Sequence, residues 1–278
     1  MKPHLFNIRI LPNVLTVAAV CLSLSAIKMI LDNHPTESIA FLSVAAILDA
    51  LDGRVARMLN ATSKMGEEID SLADAVNFGV APAYMIYISI LEHFQFGWIT
   101  VLLYVTCIIL RLARFNTLLD VDQLVYEREY FVGMPAPAGA IGAIGPLAAQ
   151  MQFGEGWWTN NWLVCFWVIT VSLLVVSRIP MYKIHTLSVS PKMFTPLLAL
   201  VAIDVTALVS YSYMVIIFII VAYIIHVPFA IRTKNWIANH PEFWNEKPHQ
   251  LRAIRRANRR AQLSKKSMSR LGLRKPEN

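Results

Sequence analysis

The sequence predicts an all-α fold, a polytopic transmembrane helix bundle with about eight spans. Of its 278 residues, 56% are hydrophobic and only 15% are charged, against about 25% charged in an average soluble domain. Apolar runs of about 18–20 residues, the length that crosses ~30 Å of hydrocarbon, recur along the chain. Lys and Arg cluster in alternate connections between these runs, as they do in membrane proteins of fixed orientation. The predicted class is therefore an integral membrane protein.

Taken in chain order, the apolar runs predict a transmembrane domain over residues 1–231 and a basic tail over residues 232–278. The first run is long and lacks a clear small-residue cleavage site, which indicates a retained span rather than a signal peptide. The eight spans are predicted at residues 13–31, 38–58, 67–91, 97–117, 137–152, 160–177, 194–210 and 212–231.

The distribution of basic residues predicts the orientation. Eight spans place both termini on one side, which then receives 24 of the 25 Lys and Arg, and the other side receives Lys28 alone. By the positive-inside rule, both termini are predicted to be cytoplasmic, in the inner (plasma) membrane of the cell.

The predicted tail carries 13 Lys and Arg against three Glu, a net charge of +10, whereas the remaining chain has a net charge of −3. Such a segment is attracted to anionic headgroups by about 1 kcal/mol per basic residue near the membrane surface. Nucleic-acid binding is the other interpretation of a basic run. Because no RNA-binding fold accompanies it, we expect anionic lipid and no nucleic acid as its partner.

Four aspartates stand where a membrane span should carry few acids. Asp49 and Asp52 lie in the second predicted span, and Asp70 and Asp74 lie in the third. One Asp at mid-bilayer costs about 2.5–3.5 kcal/mol even on the lower, insertion-derived scale. Because cations offset such a cost most directly, the four aspartates predict a cation site.

The spacing of these acids brings them together. Asp49 and Asp52 are three residues apart and share one stripe of a helix, and Asp70 and Asp74 are four apart on the next helix. A short connecting loop makes the two helices antiparallel neighbours, so their acidic faces can converge near the cytoplasmic surface. Carboxylates without His or Cys favour Mg²⁺ or Mn²⁺. Two ions about 3.5–4 Å apart are expected, as in known two-metal sites.

Small residues accompany the acids. Gly53 and Gly66 lack side chains, so backbone or ligand can approach them closely. Ala56 keeps the acidic stripe narrow, and Arg57, one turn beyond Gly53, can offer a fork of donors to a phosphate. The alternative for any single residue is a solvated acid or an arginine placed only by orientation, but the whole constellation favours a site.

These residues resemble the signature of the CDP-alcohol phosphotransferase family, D-x2-D-G-x2-A-R-x8-G-x3-D-x3-D. All eight fixed positions and every gap match, across 26 residues. They are Asp49, Asp52, Gly53, Ala56, Arg57, Gly66, Asp70 and Asp74. The resemblance covers the first six spans and implies a catalytic six-helix core to which the last two spans are additions. It also suggests a homodimer.

The resemblance implies roles for the matched residues. Asp49, Asp52, Asp70 and Asp74 would hold a dinuclear metal centre, and Asp74 would also act as the general base. CDP would be bound by Asp52, Gly53, Arg57 and Gly66. The implied reaction transfers the phosphatidyl group of CDP-diacylglycerol to a small alcohol and releases CMP.

Three further segments resemble the integral-membrane branch of that family whose acceptor is L-serine and whose product is phosphatidylserine. They are 74–82 (DAVNFGVAP), 111–116 (RLARFN) and 133–138 (GMPAPA). A zwitterionic amino acid needs a cation for its carboxylate, and Arg111 or Arg114 is suitably placed for acceptor or lipid-phosphate binding, together with Asn116. The alternative is that these arginines only anchor the end of the helix.

Two rival functions remain open at this point. The same chemistry could serve glycerol 3-phosphate or an inositol phosphate, which should require extra basic residues near the site. A cation transporter could also use carboxylates, but transporters usually show paired repeats with broken helices at the midplane. The sequence shows no repeat, and its acids lie near one surface.

Overall fold

The computed structural model describes residues 10–59, 61, 63–119, 130–182, 213–229 and 231–232. These residues are almost entirely helical, which confirms the predicted helical class. The helices are α1 (Leu11–Leu31), α2 (Pro35–Met58), α3 (Lys64–Leu91), α4 (Gly97–Leu119), α5 (Ala136–Ala143), α6 (Gly145–Phe153), α7 (Asn161–Val176) and α8 (Tyr213–Phe229). A 3-10 turn, Trp157–Thr159, precedes α7.

A short antiparallel ladder is an unexpected addition to the helical fold. Strand β1 (Tyr130–Val132) pairs with strand β2 (Pro180–Tyr182), with Phe131 opposite Met181. Segments of three residues carry too little alternation for a sequence pattern to reveal them. The ladder ties the chain that enters α5 to the chain that leaves α7.

Helices occupy seven of the eight predicted spans, with ends that differ by a few residues. The predicted span at residues 194–210 lies outside the described residues, as does the tail from residue 233 onward. The predicted span at 137–152 is divided into α5 and α6. Pro146 has no N–H to donate to the carbonyl of Gly142, and the indole of Trp167 in α7 donates to that carbonyl at 2.8 Å.

Three of the described helices are long and apolar enough to cross a membrane, namely α1, α3 and residues Gly97–Thr117 of α4. Helices α7 and α8 are apolar but shorter. Large apolar side chains face outward, with Ile99 64% exposed on α4 and Phe166 71% exposed on α7. A surface of this kind suits hydrocarbon rather than water, so the described helices indicate a membrane protein.

Helices α1 and α2 form a closely packed antiparallel pair. Small buried residues line their contact, including Ala26 of α1 and Ala45 of α2, both fully buried. Small side chains let two helix backbones approach closely in a membrane. The Ser38 hydroxyl of α2 donates to the Ala26 carbonyl at 2.7 Å. This pair fixes the end of α2 that carries Asp49 and Asp52.

Helix α3 is not a uniform α-helix. It is α-helical over Lys64–Asp74, π-helical over Ala75–Val80, α-helical over Ala81–Ile86 and π-helical again over Tyr87–Leu91. The first π-helical turn begins directly after Asp74, and π-turns inside α-helices frequently lie at functional sites.

Helix α4 holds the first π-helical turn in place. The Tyr104 hydroxyl donates to the Phe78 carbonyl at 2.8 Å. A Cβ at Gly79 would lie 3.3 Å from the Ile108 side chain, so the two helices are in close contact there. The wide turn is therefore a fixed feature of the bundle.

Candidate metal and nucleotide site

Three aspartates meet at the end of the α2–α3 hairpin. Asp49 and Asp52 come from α2 and Asp70 from α3, and one carboxylate oxygen of each lies within 4.8 Å of the other two. The i, i+3 spacing on α2 puts its two acids on one face, and the antiparallel hairpin turns that face toward Asp70. All donors of this group are carboxylate oxygens, which fits a hard divalent cation such as Mg²⁺ or Mn²⁺.

Neutral donors from other helices hold two of these carboxylates. The Thr16 hydroxyl of α1 donates to Asp52 Oδ2 at 2.5 Å, and both side chains are buried. Asn77 Nδ2, from the π-helical turn of α3, donates to Asp49 Oδ1 at 3.1 Å. Each bond orients an acid without neutralising its charge, so the cluster keeps the negative charge that a cation needs.

The fourth predicted acid, Asp74, lies at the inner side of the cluster. Its carboxyl group lies close enough to Asp49 and to the guanidinium of Arg111 to interact electrostatically with both. It stands one turn beyond Asp70 on α3, at the last residue before the π-helical turn. The structure thus brings all four predicted acids to one place, with Asp74 between the cluster and Arg111.

A polar cavity of ≈ 190 Å³ opens beside the acids, between α1, α2 and the start of α3. Asp52 and Asp70 belong to both the cavity and the acidic cluster. All four residues that the resemblance assigns to CDP line this cavity, together with residues of α1 and of the hairpin loop. The lining is Pro12, Asn13, Asp52, Gly53, Ala56, Arg57, Ala61, Ser63, Gly66, Glu67 and Asp70.

Gly66 lets the start of α3 lie close to α1. Ser63 is the N-cap of α3, and its hydroxyl accepts from the Gly66 N–H at 3.0 Å. A Cβ at Gly66 would lie 3.2 Å from Ser63 Oγ and 3.3 Å from Asn13 Oδ1. By contrast, the nearest atom to a Cβ at Gly53 is an Arg57 terminal nitrogen 3.9 Å away. A Cβ at Gly66 would therefore press on Ser63 and Asn13, whereas the space at Gly53 is open to a ligand.

The two arginines of α4 are engaged differently. Arg111 is 8% exposed, and its Nε donates to the Met134 carbonyl at 3.0 Å. Arg114 donates from its terminal nitrogens to the carbonyls of Val176 at 2.7 Å and Ser177 at 3.2 Å. Cationic donors satisfy the free carbonyls at a helix C-terminus. The geometry of Arg114 therefore favours the helix-anchoring alternative, while Arg111 faces the acids.

Asn116 and Gly133 also belong to the segments that resemble the serine-accepting branch, and they lie near these arginines. Asn116 Nδ2 donates to the Ser71 hydroxyl at 2.9 Å, which joins α4 to α3. Gly133 has φ of +84°, and a Cβ there would lie 2.5 Å from the Ser177 carbonyl oxygen and 2.8 Å from an Arg114 nitrogen. Glycine is required here because the backbone has a positive φ and because a Cβ would clash with these atoms. A direct role of Arg111, Arg114 or Asn116 in binding the acceptor stays a prediction.

Sequence reasoning missed four neutral polar residues of the site, Asn13, Thr16, Ser63 and Asn77, and also the charged Glu67 in the cavity wall. Asn13 and Thr16 are near predicted site residues only in three dimensions, whereas Ser63 and Asn77 lie three residues from Gly66 and Asp74 in the chain. Neutral side chains leave no charge pattern that would single them out. The available signal was polarity within an apolar run, since buried polar groups in membranes need partners. Thr16 and Asn77 both stand in such runs.

Comparison with known proteins supports the signature. The family model described as CDP-alcohol phosphatidyltransferase matches residues 9–176. The CDP-diacylglycerol–serine O-phosphatidyltransferase of Mycobacterium tuberculosis is 55% identical over 271 residues, 97% of this chain and 95% of that protein. Its namesake from Mycobacterium leprae is 53% identical, over 97% of this chain and 90% of its own length.

A more distant relative is similar to a smaller part of the chain. The protein of that name from Bacillus subtilis is 38% identical over 178 residues, which are 63% of this chain but 92% of the relative. The family model likewise ends with α7, so α8 lies beyond the matched region. On the match over residues 9–176, the chain belongs to the CDP-alcohol phosphatidyltransferase family.

Proposed function

We propose that this protein transfers the phosphatidyl group of CDP-diacylglycerol to the hydroxyl of L-serine, forming phosphatidylserine and releasing CMP. The observation that carries this proposal is the 55% identity over 97% of the chain to a protein named for that reaction. The oxygen-lined acidic cluster and the adjoining cavity support it independently. The protein is thus a phospholipid-forming transferase.

The acidic cluster would bind two divalent ions, Mg²⁺ or Mn²⁺. Asp49, Asp52 and Asp70 supply the carboxylates found together, and Asp74 is proposed to complete the set. Bound ions would neutralise the pyrophosphate charge of the lipid substrate. The cavity residues Gly53, Arg57 and Gly66 are proposed to receive the CDP moiety beside the cluster.

Asp74 is proposed as the general base. The serine oxygen would form a bond to the β-phosphorus, and the bond from that phosphorus to the oxygen bridging it to CMP would break. CMP would leave with the electron pair, and the serine hydroxyl proton would pass to an Asp74 carboxylate oxygen. A base hydrogen-bonded to the attacking hydroxyl typically contributes about 10²–10⁴-fold to the rate.

Arg111 is the better of the two arginines for the serine carboxylate. The hydrogen bond found for it among the described residues uses Nε, so its terminal nitrogens can serve a ligand. It also faces Asp74, which would bring the serine hydroxyl toward the base. Arg114 and Asn116 would support this region through their contacts with α7 and α3.

An alcohol-panel assay tests the proposed acceptor. Purified protein in detergent is given CDP-diacylglycerol, Mn²⁺ and one alcohol at a time, and CMP release is measured. We expect release with L-serine and little with glycerol 3-phosphate or inositol phosphate. Release with a phosphorylated alcohol but none with serine would move the protein to another branch of the family. No release with any alcohol would favour the cation-transport alternative.

We also propose the arrangement in the membrane. The protein would cross the inner membrane eight times, with a six-helix catalytic core, both termini and the acidic site on the cytoplasmic side, and a basic tail from residue 232 against anionic lipid. A homodimer is proposed from the family resemblance, and no nucleic-acid partner is expected. Labelling of single cysteines placed in the connections tests the orientation, and cross-linking in native membranes tests the dimer.

A further inference from the structure

We propose that Asn77 is a positioning residue that fixes the Asp49 carboxylate for cation binding. This inference rests on the proposed function, since it assigns a task within the same site. Asn77 belongs to the segment 74–82 but is not one of the residues that the family signature matches. The contact that carries the inference is the hydrogen bond between Asn77 Nδ2 and Asp49 Oδ1, at 3.1 Å.

The bond joins two helices at the point where the acids converge. Asn77 is fully buried on α3, and Asp49 lies on α2 among the carboxylates of the cluster. Only one oxygen of Asp49 is used by Asn77, and the direction of that bond sets the plane of the carboxylate. Partners of this kind orient metal ligands and commonly matter nearly as much as the ligands themselves.

An amide suits this task better than a cationic side chain. Lys or Arg at this place would pair with Asp49 and offset the charge that attracts the cation. The amide donates a hydrogen bond and leaves the charge of the cluster unchanged. The Thr16 hydroxyl likewise donates a hydrogen bond to Asp52, at 2.5 Å, and leaves its charge unchanged.

The amide oxygen of Asn77 indicates that the asparagine is present for more than the stability of the fold. Asn77 Oδ1 is buried and has no hydrogen-bond partner among the described residues. A buried acceptor without a partner destabilises a fold, by an amount comparable to a lost hydrogen bond. An apolar side chain would avoid that cost, so the donor toward Asp49 is the feature that explains an Asn here.

The π-helical turn gives Asn77 its direction. Asn77 lies in the turn Ala75–Val80, whose backbone is held by the bond from Tyr104 to the Phe78 carbonyl. Because Gly79 has no side chain, Ile108 of α4 packs directly against its backbone. The turn that follows Asp74 is thus held from α4 while it presents Asn77 to α2.

The test compares Mn²⁺ binding to the full-length protein and to the variants Asn77→Leu and Asn77→Ala, in detergent, by electron paramagnetic resonance. Leu keeps the branched shape and the four side-chain heavy atoms of Asn, and Ala leaves a gap, but both remove the donor. We expect both variants to bind Mn²⁺ about 10–100-fold more weakly, the range found when such partners of metal ligands are removed. CMP release should need correspondingly more Mn²⁺, with kcat at saturating Mn²⁺ largely retained.

Ser38→Ala is the matched control. It removes another buried hydrogen bond between helices, from Ser38 to the Ala26 carbonyl, at the far end of α2 from the acids. We expect unchanged Mn²⁺ affinity in this variant. Thermal unfolding identifies which variants are folded, and only these are compared.

Wild-type Mn²⁺ affinity in either folded Asn77 variant would overturn the inference. A loss confined to Asn77→Ala would assign the effect to packing and would overturn it as well. Failure of the proposed function looks different, because wild-type protein would then release no CMP with serine whatever Asn77 does. The Mn²⁺ titration does not depend on turnover, so the two failures are distinguishable.

Discussion

The acids of the α2–α3 hairpin and the arginines near the end of α4 are both charged groups on apolar helices, but the structure holds them in opposite ways. Two of the acids receive bonds from neutral side chains, Asp49 from Asn77 and Asp52 from Thr16. The arginines donate to backbone carbonyls, as Arg114 does to Val176 and Ser177. Charge held by neutral partners remains available to a ligand, whereas a guanidinium bonded to a helix end contributes to the fold.

The largest effect is expected on the acidic side of this comparison, from Asp74→Asn. The amide cannot accept the serine proton as a carboxylate can, so CMP release should fall by about 10²–10⁴-fold. Because the Asp49, Asp52 and Asp70 cluster remains, Mn²⁺ binding should be largely intact. Turnover and Mn²⁺ binding are measured on the same preparation. Near-normal turnover would remove Asp74 as the base.

On the arginine side, Arg114→Gln should act on stability. The variant loses charge-assisted hydrogen bonds to the end of α7, each worth about 1.5–3 kcal/mol, so the midpoint of thermal unfolding should drop. KM for serine should stay close to wild type in protein that remains folded. A raised KM with an unchanged unfolding midpoint would place Arg114 in the acceptor site and break the comparison.

Arg111→Gln should have the complementary effect. If the Arg111 guanidinium binds the serine carboxylate, KM for serine should rise about tenfold, as expected from the loss of one charge-assisted bond of about 1.5 kcal/mol. KM for CDP-diacylglycerol should change much less. An unchanged KM for serine would show that both arginines serve the fold, and would sharpen the contrast with the acids.

Smaller effects on stability and on KM are expected from substituting Gly53 and Gly66, the two glycines beside the acidic cluster. Gly66→Ala introduces contacts of 3.2 and 3.3 Å, so we expect a lower unfolding midpoint together with a several-fold higher KM for CDP-diacylglycerol. Gly53→Ala has room, with its nearest contact at 3.9 Å, and should raise only that KM. Equal unfolding midpoints for both variants would contradict the close approach described at Gly66.

The smallest effect is expected from the third charged region, the tail. Arg255, Arg256, Arg259 and Arg260 lie outside the described residues, and exchanging all four for Gln should weaken adhesion to anionic vesicles by up to about 1 kcal/mol per residue. Co-sedimentation of the detergent-solubilised protein with phosphatidylglycerol and phosphatidylcholine vesicles measures this. Equal adhesion to both by wild type and variant would refute a lipid-binding tail.

The sequence was sufficient to predict the acidic cluster but not its supports. Spacings of three and four residues fix which acids share a helix face, and a short loop fixes which faces meet. The partners of Arg114 lie 62 and 63 residues away in the chain, and that of Asn77 lies 28 away. Such pairings arise from tertiary packing, which local patterns do not encode. For the same reason, the two-stranded ladder and the π-helical turns were not predicted.

The π-helical turn after Asp74 has a consequence for how this chain tolerates length changes. Each residue of an α-helix advances the direction of the side chain by about 100°. Removing one residue from Ala75–Val80 would close this wider turn into an ordinary α-helical turn. The flanking parts of α3 could then keep their directions, but Asn77 and the other side chains of the turn would point elsewhere. Natural sequences that retain the activity should therefore keep the number of residues in this turn constant and keep Asn77 within it.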